Sequence, residues 1–359
     1  MFSILQVLVV TLSWAQVTAE TEPSSPAEAI ADSARQITPA TIQKRSAPAY
    51  PASALRAGQE GWVKVAFCID ESGKPQNVSV LDSMGSSRFE RAAVNTVKKW
   101  RYEPALADGE PSWQSRNEVY ITFAMQTNHR GATSLFARKF RQLGELIDER
   151  NLAEADELFN DLYENYDLSL YEQSKLWAQR VRHESIEGDL YKLDRALHRA
   201  TASDGKWIDE KSYRQLLELQ VMVRLQLGRF HSALVSYNKL RESAGDDSDA
   251  VEKLKPAIRN LQTLVESDEL LKIEAEVRSR DECDSCNDSW NFTPLRNAFT
   301  IANVSGSLEN IEMRCDQRRY QSAISDEVDW SIPESWGTCN VRIYGEPGTT
   351  FDVVLLPEA

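Results

Sequence analysis

YPASALRAGQEGWVKVAF, residues 50–67, is the stretch from which the first part of the fold can be read. Pro51 fixes its own backbone angle and suits the first turn of a helix, so Tyr50-Pro51 predicts a helical start. Gly58 supplies a stop. Beyond it the residues alternate, with Val63, Val65, Phe67 and Ile69 on one face and Trp62, Lys64, Ala66 and Cys68 on the other. A period of two predicts a half-buried strand.

The next segments extend this into a module. DESGKPQ (70–76) is a Gly and Pro turn, and NVSVLDS (77–83) alternates again, so two strands meet at a hairpin. SRFERAAVNTVKKWRYEP (87–104) opens with Ser87 and Glu90 at capping-box spacing. Phe89, Ala93, Val97 and Trp100 then share a helical face, and Lys98, Lys99 and Arg101 suit the negative end of the helix dipole before Pro104 ends the element. EVYITFAM (118–125) is a last strand, with Val119, Ile121, Phe123 and Met125 on one side. The order is helix, strand, strand, helix, strand, a small antiparallel sheet with one face covered.

Tyr50-Pro51, Ala54-Leu55-Arg56, Gly58, Glu60-Gly61, the Val63 to Ile69 alternation, Gly73, Phe89-Glu90-Arg91-Ala92-Ala93 and Trp100-Arg101-Tyr102-Glu103-Pro104 resemble the TonB C-terminal domain family over residues 41–126. The resemblance implies that the module pairs with a short segment of an outer-membrane receptor, which adds as a strand beside the last strand of the sheet. A sheet edge offers unpaired N–H and C=O groups, so the expectation has a physical basis. It makes Val119, Tyr120, Ile121, Thr122, Phe123 and Ala124 the docking edge, with Arg45, Tyr50 and Pro51 as further partner-binding residues. Three features depart from an energy transducer: a signal-like start, a linker of about 25 residues that reaches at most about 80 Å, and over 200 residues after the domain.

Residues 133–278 show no strand-like alternation and little Gly or Pro, so they read as helices joined by short turns. Leu152, Ala155, Phe159 and Leu162 recur as Leu190, Leu193, Leu197 and Ala200, and again as Phe230, Ala233, Tyr237 and Leu240. Two residues before each set stand Arg150, Gly188 and Gly228, and Gly there ends a helix in the left-handed conformation. A period near 40 predicts stacked helical hairpins. LGRFHSALVSYNKL (227–240) resembles the second helix of a tetratricopeptide repeat; such arrays hold peptides or proteins, or merely space flanking domains.

FTIANVSG (299–306), SLENIEMRC (307–315), GTCNVRIYG (337–345) and GTTFDVVLL (348–356) read as short strands. Cys315 shares a face with Ile311 and Met313, and Cys339 with Val341 and Ile343. A Cys315–Cys339 bridge is the simplest account, stabilising the region by about 2 to 4 kcal/mol. Cys283 and Cys286 lie in RDECDSCNDS (280–289), where acidic neighbours disfavour a redox pair and no second close cysteine pair completes a zinc site. A local disulfide is expected there, leaving Cys68 as a partly buried free thiol.

The net charge of −14 argues against nucleic-acid binding, although residues 41–126 carry eleven Lys and Arg against nine Asp and Glu. The first 19 residues lack charged side chains, carry an apolar run at Leu5 to Leu12 and end Val17-Thr18-Ala19, as a cleaved secretory signal does. The alternative is an inner-membrane anchor over residues 1–19. His129, His183, His198 and His231 show no metal-type spacing with one another, and His198 and His231 read as surface positions. No catalytic residue, metal or cofactor is expected, and the chain is read as not an enzyme.

The fold class expected is α+β: a small TonB-type antiparallel sheet with helices, an α-helical repeat array, then a small disulfide-bearing β domain. The divisions are a signal peptide (1–19), a linker (20–40), the TonB-like domain (41–126), tetratricopeptide-like repeats (133–278) and a β-rich domain (281–359). The function expected is that of a periplasmic protein that binds an outer-membrane receptor segment or another envelope protein and supports transport across the outer membrane. The alternative is a periplasmic scaffold that uses its repeats for protein binding without energy transduction.

Overall fold

A computed structural model describes residues 37–125, 131–279, 288–324 and 329–357. The expected signal (1–19) and the Cys283/Cys286 pair lie outside the described residues. The fold is α+β, with a small antiparallel sheet, a run of helices and a disulfide-bearing β region in that order.

The first sheet contains β3 (Gly61–Ile69), β4 (Pro75–Met84) and β8 (Gln114–Phe123), with β3 in the middle and both pairings antiparallel. Helix α1 (Ala52–Ala57) begins after Pro51 and stops at left-handed Gly58, and α2 (Ser87–Val97) lies on one sheet face. There Val63, Val65, Phe67, Ile69, Ile121 and Phe123 pack with Phe89, Ala93, Val97 and Trp100. Gly61 is required by close approach, since a Cβ on it would stand 2.1 Å from the Met84 carbonyl oxygen. Short strands surround this sheet: β1 (Ile37–Thr38) joins the β6 (Ala105–Ala107) and β7 (Glu110–Ser112) hairpin, and β2 (Thr41–Lys44) pairs with β5 (Arg101–Glu103).

Several expectations need correction here. The strand at 61–69 is buried on both faces rather than one, because Trp62 and Cys68 on the second face are 0% and 3% exposed. Trp62 and Met84 pack into the helical core, and Cys68, a free thiol, donates to the Ser115 carbonyl. The cap of α2 is Ser86, whose hydroxyl accepts from the Arg88 N–H; Ser87 is already helical, and Glu90 instead accepts from the Ser83 hydroxyl. Arg101 lies beyond the helix, in β5. Residues 37–38, assigned to the linker, form β1.

The helices are α3 (Ser134–Asp148), α4 (Leu152–Asn165), α5 (Leu170–Glu187), α6 (Leu190–Ala200), α7 (Glu210–Gln226), α8 (Phe230–Ala244) and α9 (Asp249–Glu266). The repeated 3, 4, 3 sets fall on α4, α6 and α8, the second members of three successive antiparallel pairs. Their turns carry Arg150, Gly188 and Gly228 at φ 60°, 86° and 66°, all left-handed. Asp194 on α6 joins the last two pairs, accepting from Arg224 Nε at 2.8 Å and from Arg229.

The helices end before the expected boundary at 278. Leu271, Ile273 and Ala275 alternate with Lys272, Glu274 and Glu276 and form β9 (Leu271–Glu276). This strand opens a pair of four-stranded antiparallel sheets. One has the order β10 (Ser289–Phe292), β15 (Cys339–Gly345), β12 (Leu308–Cys315), β13 (Arg319–Ala323). The other runs β14 (Asp329–Ser331), β11 (Ala298–Ser305), β16 (Thr350–Leu356), β9. Trp290, Phe292, Ile311, Met313, Val341 and Ile343 of the first share one core with Phe299, Phe351, Val353 and Leu355 of the second. Cys315 and Cys339 are directly opposite each other on β12 and β15 and form a disulfide, with Cα atoms 3.8 Å apart.

The described parts are stitched together. Arg296, 1% exposed, donates to the carbonyls of Leu264, Val265, Ser267, Glu269 and Leu355, tying the end of α9 to β16. The Ser115 N–H at the start of β8 donates to the Asp316 carbonyl just after β12.

Candidate functional site

The candidate site is the outer side of β8. One side of this strand pairs with β3 in the register Val65↔Val119, Lys64↔Tyr120, Val63↔Ile121, Trp62↔Thr122 and Gly61↔Phe123. Among the described residues, the main chain of β8 from Arg116 to Phe123 makes backbone hydrogen bonds to no other element. An antiparallel strand directs alternate N–H and C=O pairs outward, so this edge presents donors and acceptors at main-chain spacing.

Its side chains divide between the two faces. Ile121 and Phe123 are buried in the α2-side core, which Val119 also touches. Tyr50 is set edge-on to Phe123 at 5.7 Å and to Phe89 at 5.6 Å, and its hydroxyl donates to the Gln59 carbonyl. Burial pushes its phenol up to about 12. Pro51 stands next to it as the N-cap of α1. On the opposite face Tyr120 packs on Trp62 at 5.4 Å, and Ala124 touches the helical core. Thr122 and Glu118 are exposed; Glu118 pairs with Lys64 at 2.7 Å.

The structure therefore brings Tyr50 and the residues of 119–124 into one module around β8. Arg45 is held elsewhere by its ring contact, with its guanidinium 4.7 Å above Trp100. The Trp100 indole N–H in turn donates to the Ser46 carbonyl.

Two groups positioning this edge were not singled out from the sequence. Glu60 accepts from the Met125 N–H at 2.6 Å through one carboxylate oxygen and from the Leu170 N–H at 2.9 Å through the other. It thereby pins the end of β8 to the first turn of α5, whose partial positive charge suits a carboxylate. Glu60 belongs to the Glu60-Gly61 pair of the resemblance, so the sequence carried a signal for it. His198 is the second. Rather than lying on an open surface, it sits 3.3 Å from the Tyr120 hydroxyl and 3.7 Å from Asp82. Desolvation lowers its pKa to about 4, against the raising effect of Asp82. The Tyr120 phenol is raised, first by burial and then by Asp82. His231 is half-buried, its imidazole likewise lowered by burial.

A cavity of about 620 Å³ opens near the start of β8, between the β6–β7 hairpin and Gln317, Arg318 and Arg319. Of the β8 residues only Ser115 lines it, so it lies apart from the 119–124 strip.

Residues 46–125 match the family described as Gram-negative bacterial TonB protein C-terminal. Protein TonB of Yersinia enterocolitica is 43% identical over 63 residues, which cover 18% of this chain and 25% of that protein. Protein TonB of Escherichia coli (strain K12) is 42% identical over 60 residues, covering 17% and 25%. The chain thus spans about a quarter of the length of these curated relatives. Among solved structures, the solution NMR structure of the Pseudomonas aeruginosa TonB CTD is 29% identical and covers 25% of this chain and 90% of that one, with a TM-score of 0.23. The matched residues contain β3, β4, α2 and β8; the helices from α3 onward and both sheets of the C-terminal region lie outside the match. No helix of the described residues is long and apolar enough to cross a membrane.

Proposed function

We propose that this chain is a periplasmic TonB-like binding protein that takes up an extended segment of a TonB-dependent outer-membrane receptor as an added strand along β8, in support of transport across the outer membrane. The observation that carries the reading is the edge position of β8 with its unshared main chain over Val119 to Phe123. Similarity of residues 46–125 to TonB proteins supports the choice of partner. Strand addition is a binding reaction, so the reading assigns no catalytic step. Its affinity comes from main-chain hydrogen bonds and its specificity from side-chain pockets on the two faces. Ile121 and Phe123 are already taken up by the α2-side core, so the side chains left to meet a partner are the exposed Thr122 and the partly buried Val119, Tyr120 and Ala124. Glu60 holds the end of the strip in place.

A second reading has its own observation. Trp62 and Met84 bury the second face of the sheet against the helices, so the module could serve as a fixed part of a scaffold whose helices bind the partner. One experiment separates the two. Peptides from the N-terminal segments of such receptors, titrated into the full chain, should slow amide exchange at 119–123, and Thr122→Pro should weaken binding at least tenfold. Binding without protection of this strip, or with protection confined to the helices, would overturn the strand-addition reading.

A further inference from the structure

The last turn of α5 gathers three metal-type donors that the receptor-binding reading does not use. His183, Glu184 and Glu187 each place one donor atom within 4.8 Å of the other two. His183 and Glu187 are four apart and so share a helix face. His183 and Glu184 are 2% and 0% exposed, whereas Glu187 reaches solvent.

The hydrogen-bond pattern leaves the buried acceptor atoms of this cluster without donors among the described residues. His183 Nε2 lies 3.2 Å from the Leu152 carbonyl and 3.3 Å from Asp156 Oδ1, both of which only accept. In the neutral ring Nε2 therefore carries the hydrogen, and Nδ1 is a bare lone pair. That Nδ1 is buried, has no hydrogen-bond partner among the described residues, and stands 3.7 Å from Glu184 Oε1. Arg180 Nε lies 2.5 Å from Glu184 Oε1, but among the described residues neither buried carboxylate oxygen has a hydrogen-bond partner. Acceptors facing one another across a buried gap repel unless something positive lies between them. Lys192 Nζ, 3.9 Å from Glu187, is the remaining nearby cation, and that pair is solvent-exposed. The negative end of α5, capped by Gly188, adds to the pull on a positive charge.

We propose that His183 Nδ1, Glu184 and Glu187 bind one divalent transition-metal ion, of which zinc fits best, with water completing the shell. One imidazole nitrogen and two carboxylates are a zinc-type donor set, and the Nε2–H···O=C bond to Leu152 is the kind of outer contact that fixes a ligating ring. Donors around a tetrahedral zinc stand about 3.3 Å apart given bonds of 2.0–2.1 Å. The exposed Glu187 has the freedom to close that distance. The ion would fasten the end of α5 to the start of α4 through His183.

The test uses the full chain in a Cys283→Ser/Cys286→Ser background, which removes the thiol pair as a competing zinc site. After chelator treatment, Zn²⁺ and Mg²⁺ are titrated calorimetrically, and metal content is measured after gel filtration. One equivalent of Zn²⁺ is expected, with a raised Tm, a shifted ¹⁵N resonance for His183 Nδ1, and no comparable Mg²⁺ binding. Glu187→Gln changes an exposed side chain and should lower zinc affinity at least tenfold even if His183→Gln fails to fold. No zinc uptake, equal uptake by Glu187→Gln, or Mg²⁺ binding as tight as Zn²⁺ would overturn the proposal.

Discussion

Arg199 Nη2 on α6 lies 2.7 Å from Asp82 Oδ1 on β4, joining residues 117 apart in sequence. Both side chains are largely removed from water, at 3% and 13% exposure. Arg199 also stacks 4.7 Å over Trp177. The TonB-like sheet and the helices are thus held by a charge pair inside the surface where Trp62 is buried.

Replacing Arg199 with Met should destabilise the chain by about 3–5 kcal/mol, because it leaves the Asp82 carboxylate buried without its partner. Asp82→Asn combined with Arg199→Met should recover part of that loss. Urea unfolding of the two single variants and the double variant gives the coupling.

Acid should weaken the fold in two stages. His198 is lowered from 6.5 to about 4, chiefly by desolvation, so the unfolded chain takes up the proton first and stability falls as pH drops from about 6.5 to 4. Asp194 is lowered from 3.8 to about 2, because Arg224 and Arg229 outweigh the upward push of desolvation. Its contribution, about 2 kcal/mol, is present above pH 4 and lost as pH falls toward 2. Asp82 is lowered in the same sense, mainly by Arg199 against desolvation. Tm measured across this range should show both stages, and His198→Gln should flatten the upper one.

Arg150→Gly should stabilise the chain by about 0.5 kcal/mol. Left-handed backbone costs a side-chain-bearing residue about 1–2 kcal/mol, partly offset by the greater entropy that glycine loses on folding. Arg150 has φ 60° where the equivalent turns of the next two pairs use Gly188 and Gly228. Thermal unfolding of the single variant reads this directly, and a lower Tm would contradict it.

Cys315→Ala/Cys339→Ala should cost about 3 kcal/mol, the value expected for opening a loop with a sequence separation of 24. Cys68 is buried and unbridged, so Cys68→Ala should leave the oxidation-dependent part of the stability unchanged. Denaturation with and without reductant compares the two.

The parts legible in the sequence were those in which local pattern and tertiary role agree. The 3, 4, 3 sets on α4, α6 and α8 announce their buried faces, and the apolar faces that Cys315 and Cys339 share with their strand neighbours point to the bridge that the register then closes. The main strands of the candidate site followed from alternation. The second face of β3 did not, since period two shows that Trp62 and Lys64 share a face but not that helices 100 residues later cover it. Strand β9 is hard to read from the sequence because Leu271, Ile273 and Ala275 follow directly on a helical run. His198 looked like a surface residue because its partners, Tyr120 and Asp82, belong to a distant part of the chain. The α5 donor cluster is invisible in the spacing of the histidines alone, because its other donors are the carboxylates Glu184 and Glu187, the latter one helical turn from His183.

Strand β16 occupies an interior place in its sheet, flanked by β11 on one side and β9 on the other. Strand β9 therefore waits more than seventy residues for its hydrogen-bonding neighbour, and the ladder cannot grow outward from its earliest member as the polypeptide is synthesised. Closure of this layer is non-local in sequence, a kind of pairing that is intrinsically slow to form. Trimming residues 350–356 would remove a keystone instead of an ornament, exposing the flanks of two strands to whatever else in the compartment seeks a partner.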